Sequence, residues 1–180
     1  QIKLGIDILK ENDFKLIENK DILFLSNFSG RDSNGKLSVD ILKEATNFQL
    51  IGILSPEHGF FTTVPAGKKV DDNEYSNIPI YSLYSKNKKP VFKELPNCDA
   101  VLVDIQDIGV RSYTYLSTLY RTMQEAAKND IEVIVLDRPN PLGGMIVDGN
   151  IIENKYLSFV GIIPVPYIHG CTIGELAVMI

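Results

Sequence analysis

Leu50-Ile51-Gly52-Ile53-Leu54 runs directly into Ser55-Pro56-Glu57-His58-Gly59-Phe60. Five apolar or small residues in a row read as a strand covered on both faces, since a half-solvated strand would alternate with polar positions. The polar stretch then starts at the strand's carboxyl end, the edge where open α/β sheets bind ligands. Pro56 fixes its own φ and restricts the residue before it, while Gly59 permits a sharp turn. Glu57 and His58 are therefore expected on a stiff loop at a sheet edge.

The same pattern recurs on either side. Ile22 to Ser26, Ala100 to Asp104 and Glu132 to Asp137 read as further strands, and Ile78 to Leu83 as a short one whose Pro79 marks an edge or a strand start. Leu37 to Thr46 carries apolar residues on one helical face, and so does Tyr113 to Lys128. Thr172 opens a last helix, with Glu175 at capping-box spacing. Residues 59 to 77 show no periodicity and read as a long excursion, of the kind that is usually functional. Strands alternating with helices predict an α/β fold: a Rossmann-like, doubly wound, mostly parallel sheet with helices on both faces. The pattern ends on apolar Val178-Met179-Ile180. The expectation is that residues 1–180 form a single domain, the N-terminal part of a longer two-domain protein.

Composition narrows the partners. A net charge of -5 over 180 residues gives no basic surface for a nucleic-acid backbone. Lys86, Lys88 and Lys89 read as a solvated loop tip. No apolar run approaches the ~20 residues of a membrane-spanning helix. Cys98 and Cys171 have neither disulfide-framework nor metal-ligand spacing and read as small buried side chains at the edges of apolar segments. No metal and no organic cofactor is implied.

One motif tempts otherwise. Gly30-Arg31-Asp32-Ser33-Asn34-Gly35-Lys36 has the G-x-x-x-x-G-K spacing of a phosphate-binding loop between a strand and a helix. Leu37 stands where that loop needs Ser or Thr for the metal, and Asp32 puts negative charge where amides should cradle phosphate. A turn feeding a helix is the better account, with a nucleotide-binding module kept as the rival.

Four polar stretches fall at predicted strand ends, and parallel strands would bring them to one edge. Glu57, His58, Asp104, Gln106, Asp107, Arg111, Tyr113, Asp137, Arg138 and Asn140 could then line one cleft. His169 follows in the fourth stretch, with a plain turn residue as the alternative. Asp, Gln, Asn and Tyr suit sugar hydroxyls, and tyrosine rings suit a pyranose face. A glutamate packed against Phe60 or Phe61 would lose solvation and become a better general acid, as one of two carboxylates that cleave a glycosidic bond. Plain structural roles compete. Asp104 and Asp137 could cap turns, Arg111 and Arg138 could pair with those aspartates, and one of Tyr113 and Tyr115 could be core.

The same stretches resemble a known family. Ser55-Pro56-Glu57-His58-Gly59-Phe60, Asp104-Ile105-Gln106-Asp107-Ile108-Gly109-Val110-Arg111, Asp137-Arg138-Pro139-Asn140-Pro141-Leu142-Gly143-Gly144 and His169-Gly170-Cys171-Thr172-Ile173-Gly174-Glu175-Leu176-Ala177 are similar to blocks of the DUF1343 family. Its characterised branch is the NamZ-like exo-β-N-acetylmuramidases. Ser26-Asn27-Phe28-Ser29-Gly30 resembles the family's T-N-x-T-G block, and Ile168 replaces an Arg common before the His-Gly pair.

The resemblance implies a Rossmann-like domain paired with a C-terminal domain, a cleft between them, and removal of N-acetylmuramic acid (MurNAc) from the non-reducing end of peptidoglycan fragments. It implies Glu57 as catalytic residue, here taken as the general acid, with His58 shaping its surroundings. Asp104 or Asp107 is the candidate second carboxylate. Asn27, Gln106, Tyr113, Asp137, Asn140 and His169 are candidate substrate contacts. Charge adds Arg111 or Arg138 as a partner for the lactyl carboxylate. The partner is a saccharide or muropeptide, and the location follows as secreted, periplasmic or cell-surface rather than cytoplasmic. A non-catalytic carbohydrate-binding protein on the same scaffold is the second rival.

Overall fold

The apolar runs become strands of one six-stranded sheet in a computed structural model, which describes residues 2–83 and 94–180. In chain order the elements are α1 (Gly5–Glu11), β1 (Asp21–Ser26), α2 (Ser38–Glu44), β2 (Gln49–Ser55), β3 (Asn73–Tyr75), β4 (Ile78–Ser82), β5 (Ala100–Asp104), α3 (Thr114–Lys128), β6 (Glu132–Val135) and α4 (Ile173–Met179). The strand order is β3-β4-β2-β1-β5-β6. All neighbours are parallel except β3, which pairs antiparallel with β4. This is the expected doubly wound, mostly parallel α/β sheet. Lys86, Lys88 and Lys89 lie outside the described residues.

Two cores explain why the strands are apolar throughout rather than alternating. Ile22 and Phe24 of β1 and Leu102 of β5 face one side, where Ile6 and Leu9 of α1 and Val39, Ile41 and Leu42 of α2 cover them. Leu23 and Leu25 of β1 and Val101 and Val103 of β5 face the other, under Tyr115 and Leu119 of α3 and Ile173 of α4. Successive strand residues point to opposite faces, so both sets must be apolar when both faces are covered. Each fully buried Leu, Ile or Phe contributes about 1.5–3 kcal/mol over exposure.

Two elements depart from the sequence expectation. Residues 59 to 77 hold β3, a three-residue edge strand whose Asn73 and Glu74 are exposed and give no apolar signal. Strand β4 is therefore next to the edge. Pro79 sits at its start, opposite Glu74 and before Ile80, which aligns with Ile53 of β2. Helix α1 is also additional. Its first residue, Gly5, donates its N–H to the Asp137 carbonyl at 3.0 Å. A Cβ there would stand 2.5 Å from Leu136 Cα, so only glycine allows the helix to approach the exit of β6. Among the described residues no helix is long and apolar enough to cross a membrane.

Candidate active site

Strands β2, β1, β5 and β6 run parallel, so Ser55, Ser26, Asp104 and Val135 end on one edge. The chain winds outward from β1 in both directions, which places the topological switch between β1 and β5. Asn27 and the Asp104–Asp107 stretch leave the sheet at that crevice, and Glu57 leaves it one strand away.

Glu57 is only 7 % exposed. Its Oε1 accepts the Gly67 N–H at 2.9 Å, and its Oε2 accepts the Thr114 hydroxyl at 2.6 Å. One partner comes from the long excursion and the other from the first turn of α3. His58 adopts φ 71°, and its Nδ1 is 2.7 Å from the Val64 carbonyl. The ring thus ties the excursion back to the strand exit. Phe60 and Phe61 turn into an aromatic cluster with Phe28 and Tyr75, with ring centroids 5.2–6.3 Å apart.

The carboxylates after β5 sit in different surroundings. Asp104 is 1 % exposed and grips the Arg138 guanidinium with both oxygens, at 2.5 Å to Nε and 2.9 Å to Nη2. Arg138 Nη2 also donates to the Arg31 carbonyl at 2.7 Å. Of the two arginines that could pair with the strand-end aspartates, Arg138 does so. Arg111 instead donates to the Asn150 and Val165 carbonyls, each at 2.6 Å, and lies over the Tyr167 ring.

Asp107 Oδ2 accepts the Gly109 N–H at 2.7 Å and stands 3.4 Å from His169 Nε2. His169 Nδ1 accepts the Cys171 N–H at 3.2 Å, so a neutral ring carries its proton on Nε2, facing Asp107. Gln106 donates to the carbonyls of Asp107 and Pro139.

Asp137 and Asn140 hold the fold's edge together. Asp137 accepts the Gly174 N–H and the Thr172 hydroxyl, at 2.8 and 2.7 Å, at the start of α4. Thr172 and Glu175 complete the capping box there. Asn140 donates to the Cys171 carbonyl and accepts the Leu142 N–H.

Asn27 is 1 % exposed. Its Oδ1 accepts both the N–H and the hydroxyl of Ser29, and its Nδ2 donates to Tyr115 Oη at 2.6 Å. The rings of Tyr115 and Tyr113 are tilted against each other with centroids 4.5 Å apart. Burial holds the Tyr113 hydroxyl above the ordinary tyrosine value, and the charges of Asp107 and Glu57 push it the same way. Tyr115 is raised further, again chiefly by burial. Tyr115 is the core member of the pair, while Tyr113 keeps an intermediate exposure.

The tempting loop at Gly30–Lys36 closes on itself. The Asp32 carboxylate accepts the N–H groups of Asn34 and Lys36, the donors a phosphate would need, and Lys36 pairs with Glu44. It is a turn feeding α2. Among the described residues no group of three or more His, Cys, Asp or Glu side chains is placed to hold a metal ion. Sequence reading missed Gly67, Thr114 and Ser29. The first acts through a backbone amide, which carries no residue-type signal, but Thr114 and Ser29 lie inside or beside the quoted motifs.

Residues 22–180 match the family model described as exo-beta-N-acetylmuramidase NamZ, N-terminal. Peptidoglycan beta-N-acetylmuramidase NamZ of Bacillus subtilis (strain 168) is 44% identical over 179 residues, covering 98% of this chain and 43% of that protein. Two DUF1343 family proteins of Bacteroides fragilis NCTC 9343 have similar solved structures. One has a TM-score of 0.90 at 45% identity, over 98% of this chain and 45% of the other. The second has a TM-score of 0.81 at 41% identity, over 99% and 46%. The chain thus spans less than half the length of these relatives. With the family model matched from β1 through α4, the chain belongs to the NamZ exo-β-N-acetylmuramidase family, as its N-terminal portion.

Proposed function

We propose that this chain is the N-terminal domain of a two-domain glycoside hydrolase that removes MurNAc from the non-reducing end of peptidoglycan fragments, with Glu57 as general acid. The observation that carries the reading is the hold on Glu57: a carboxyl 7 % exposed at the ligand-binding edge, with a donor on each oxygen. The two donors differ in kind. The Gly67 amide can only donate, so Oε1 stays an acceptor. A threonine hydroxyl can turn to donate or accept, so Oε2 is the oxygen able to carry a proton in the acid form. In this reading Oε2 delivers that proton to the glycosidic oxygen as the bond to MurNAc breaks.

Asp107 suits the second carboxylate better than Asp104, whose two oxygens are both committed to Arg138. Asp107 Oδ1 is buried with no hydrogen-bond partner among the described residues. A substrate drawn from the cell wall favours an exported location, which fractionation of the producing cells would test.

The test is release of MurNAc from the disaccharide MurNAc-GlcNAc by the full-length protein. Wild-type release that drops by orders of magnitude in Glu57→Gln supports the reading. Binding of the disaccharide with no turnover in either protein would replace it with a non-catalytic carbohydrate-binding role.

A further inference from the structure

A cavity of about 240 Å³ lies between the excursion after β2 and the strands β2 and β4. Phe60, Val70, Ile80 and Ser55 form its floor, and all four are buried. His58 stands in its wall, while Lys69, Asp71 and Asp72 make an exposed rim. The excursion that encloses the cavity also supplies the Gly67 N–H to Glu57 Oε1. A ligand in the cavity therefore lies against the same loop that holds the proposed acid.

Two polar groups face this space. Ser55 shares a strand face with Ile53 by alternation, and Ile80, opposite Ile53 in β4, lines the cavity, so the Ser55 side chain is directed there. Its hydroxyl is buried and has no hydrogen-bond partner among the described residues. Native proteins leave few buried polar groups in that state, and a ligand entering the cavity would complete this one. His58 supplies the second group. Its Nδ1 is 2.7 Å from the Val64 carbonyl, which can only accept, so the proton sits on Nδ1 and the neutral ring presents Nε2 as an acceptor. One hydroxyl and one acceptor over an apolar floor suit the hydroxyls and C–H face of a sugar ring.

Size and charge narrow the choice. At about 240 Å³ the cavity is smaller than the ~300 Å³ at which drug-sized pockets begin, so it takes one ring rather than two. Lys69 pairs with Asp71 on the rim, and Asp72, whose Oδ1 accepts the Ser82 N–H at 2.7 Å, leaves the rim negative. Negative charge there disfavours the lactyl carboxylate of MurNAc and admits an uncharged sugar.

Resting on the function proposed above, we propose that this cavity is the leaving-group subsite, which takes the uncharged GlcNAc ring that follows MurNAc, with Ser55 Oγ and His58 Nε2 binding its hydroxyls.

The experiment measures KM and kcat for MurNAc-GlcNAc with the full-length protein, and the inhibition constants of free GlcNAc and free MurNAc. Ser55→Ala removes the hydroxyl. His58→Asn keeps a donor for the Val64 carbonyl and tolerates the positive φ, but lacks the Nε2 acceptor. Each variant should raise KM and the GlcNAc inhibition constant about three- to tenfold, the value of one neutral hydrogen bond, with kcat nearly unchanged. The MurNAc inhibition constant should stay at its wild-type value, which a general loosening of the loop would not allow. Wild-type KM in both variants, or a MurNAc inhibition constant that rises as much as the one for GlcNAc, would overturn the proposal. Failure of the wild type to release MurNAc would instead refute the underlying function, and this subsite with it.

Discussion

Replacing Arg138 with Met would leave the Asp104 carboxylate buried at 1 % exposure with its two charged donors removed. Breaking a buried pair from one side costs about 3–5 kcal/mol, because the remaining charge has neither water nor partner. The Arg31 carbonyl also loses the Nη2 donor, worth about 1 kcal/mol more. The sum is about 4–6 kcal/mol. With a urea dependence of about 2 kcal/mol per molar, the unfolding midpoint should fall by about 2–3 M. The sequence contains no Trp, so far-UV circular dichroism is the suitable probe. The double variant Asp104→Leu/Arg138→Met removes both charges and should recover to within about 2 kcal/mol of wild type. A midpoint shift under about 0.5 M in Arg138→Met, or a double variant as weak as the single, would refute this account. A raised KM without loss of stability would return Arg138 to the substrate.

Thr114→Val in the full-length protein should lower kcat about tenfold while Thr114→Ser keeps most of it, since the hydroxyl on Glu57 Oε2 is the shared feature; equal loss in both would contradict the proton assignment. Gly109→Ala should destabilise by about 2 kcal/mol or more, measured by urea unfolding, because φ is 84° and a Cβ would stand 2.3 Å from Asn140 Oδ1. Burial, and then the charges of Asp99 and Asp21, push the Cys98 thiol up to about 11. Its alkylation rate should keep climbing through pH 10, and a plateau near pH 9 would count against that environment. Tyr113 and Tyr115 are both raised, so the unfolded chain ionises first as pH passes about 10. Their contribution to stability is whole below that pH and is lost above it. Tyr115→Phe should therefore flatten the alkaline fall in urea midpoint.

The sheet was legible because burial on both faces writes itself into composition. Ile22 to Leu25 and Ala100 to Val103 are apolar at every position, and the register Phe24↔Leu102 shows each face answered by its own helices. Strand β3 was not legible, since three residues at an edge, two of them exposed, need no pattern. The motif residues do gather at one edge, as parallel strands require. What the motifs could not show was the division of labour among them. Nothing in the order Arg111…Arg138 says which guanidinium meets Asp104, because that depends on a long-range contact between the ends of two strands. Likewise two partners of Glu57 lie 10 and 57 residues away, and one of these is a backbone amide.

The similarity to the family model begins at residue 22, but the folded unit does not. Ile6, Leu9 and Ile17 precede that point and are all buried, the first and last at 0 % exposure. Trimming an expressed protein to the matched range would delete them, at about 5–9 kcal/mol of lost burial, comparable with the whole stability of a typical domain. It would also strip the Gly5 contact from the β6 exit, which carries Asp137 and Arg138. Residues 2–21 are a brace behind the edge that gathers the motif residues, and a boundary drawn by resemblance would saw through it.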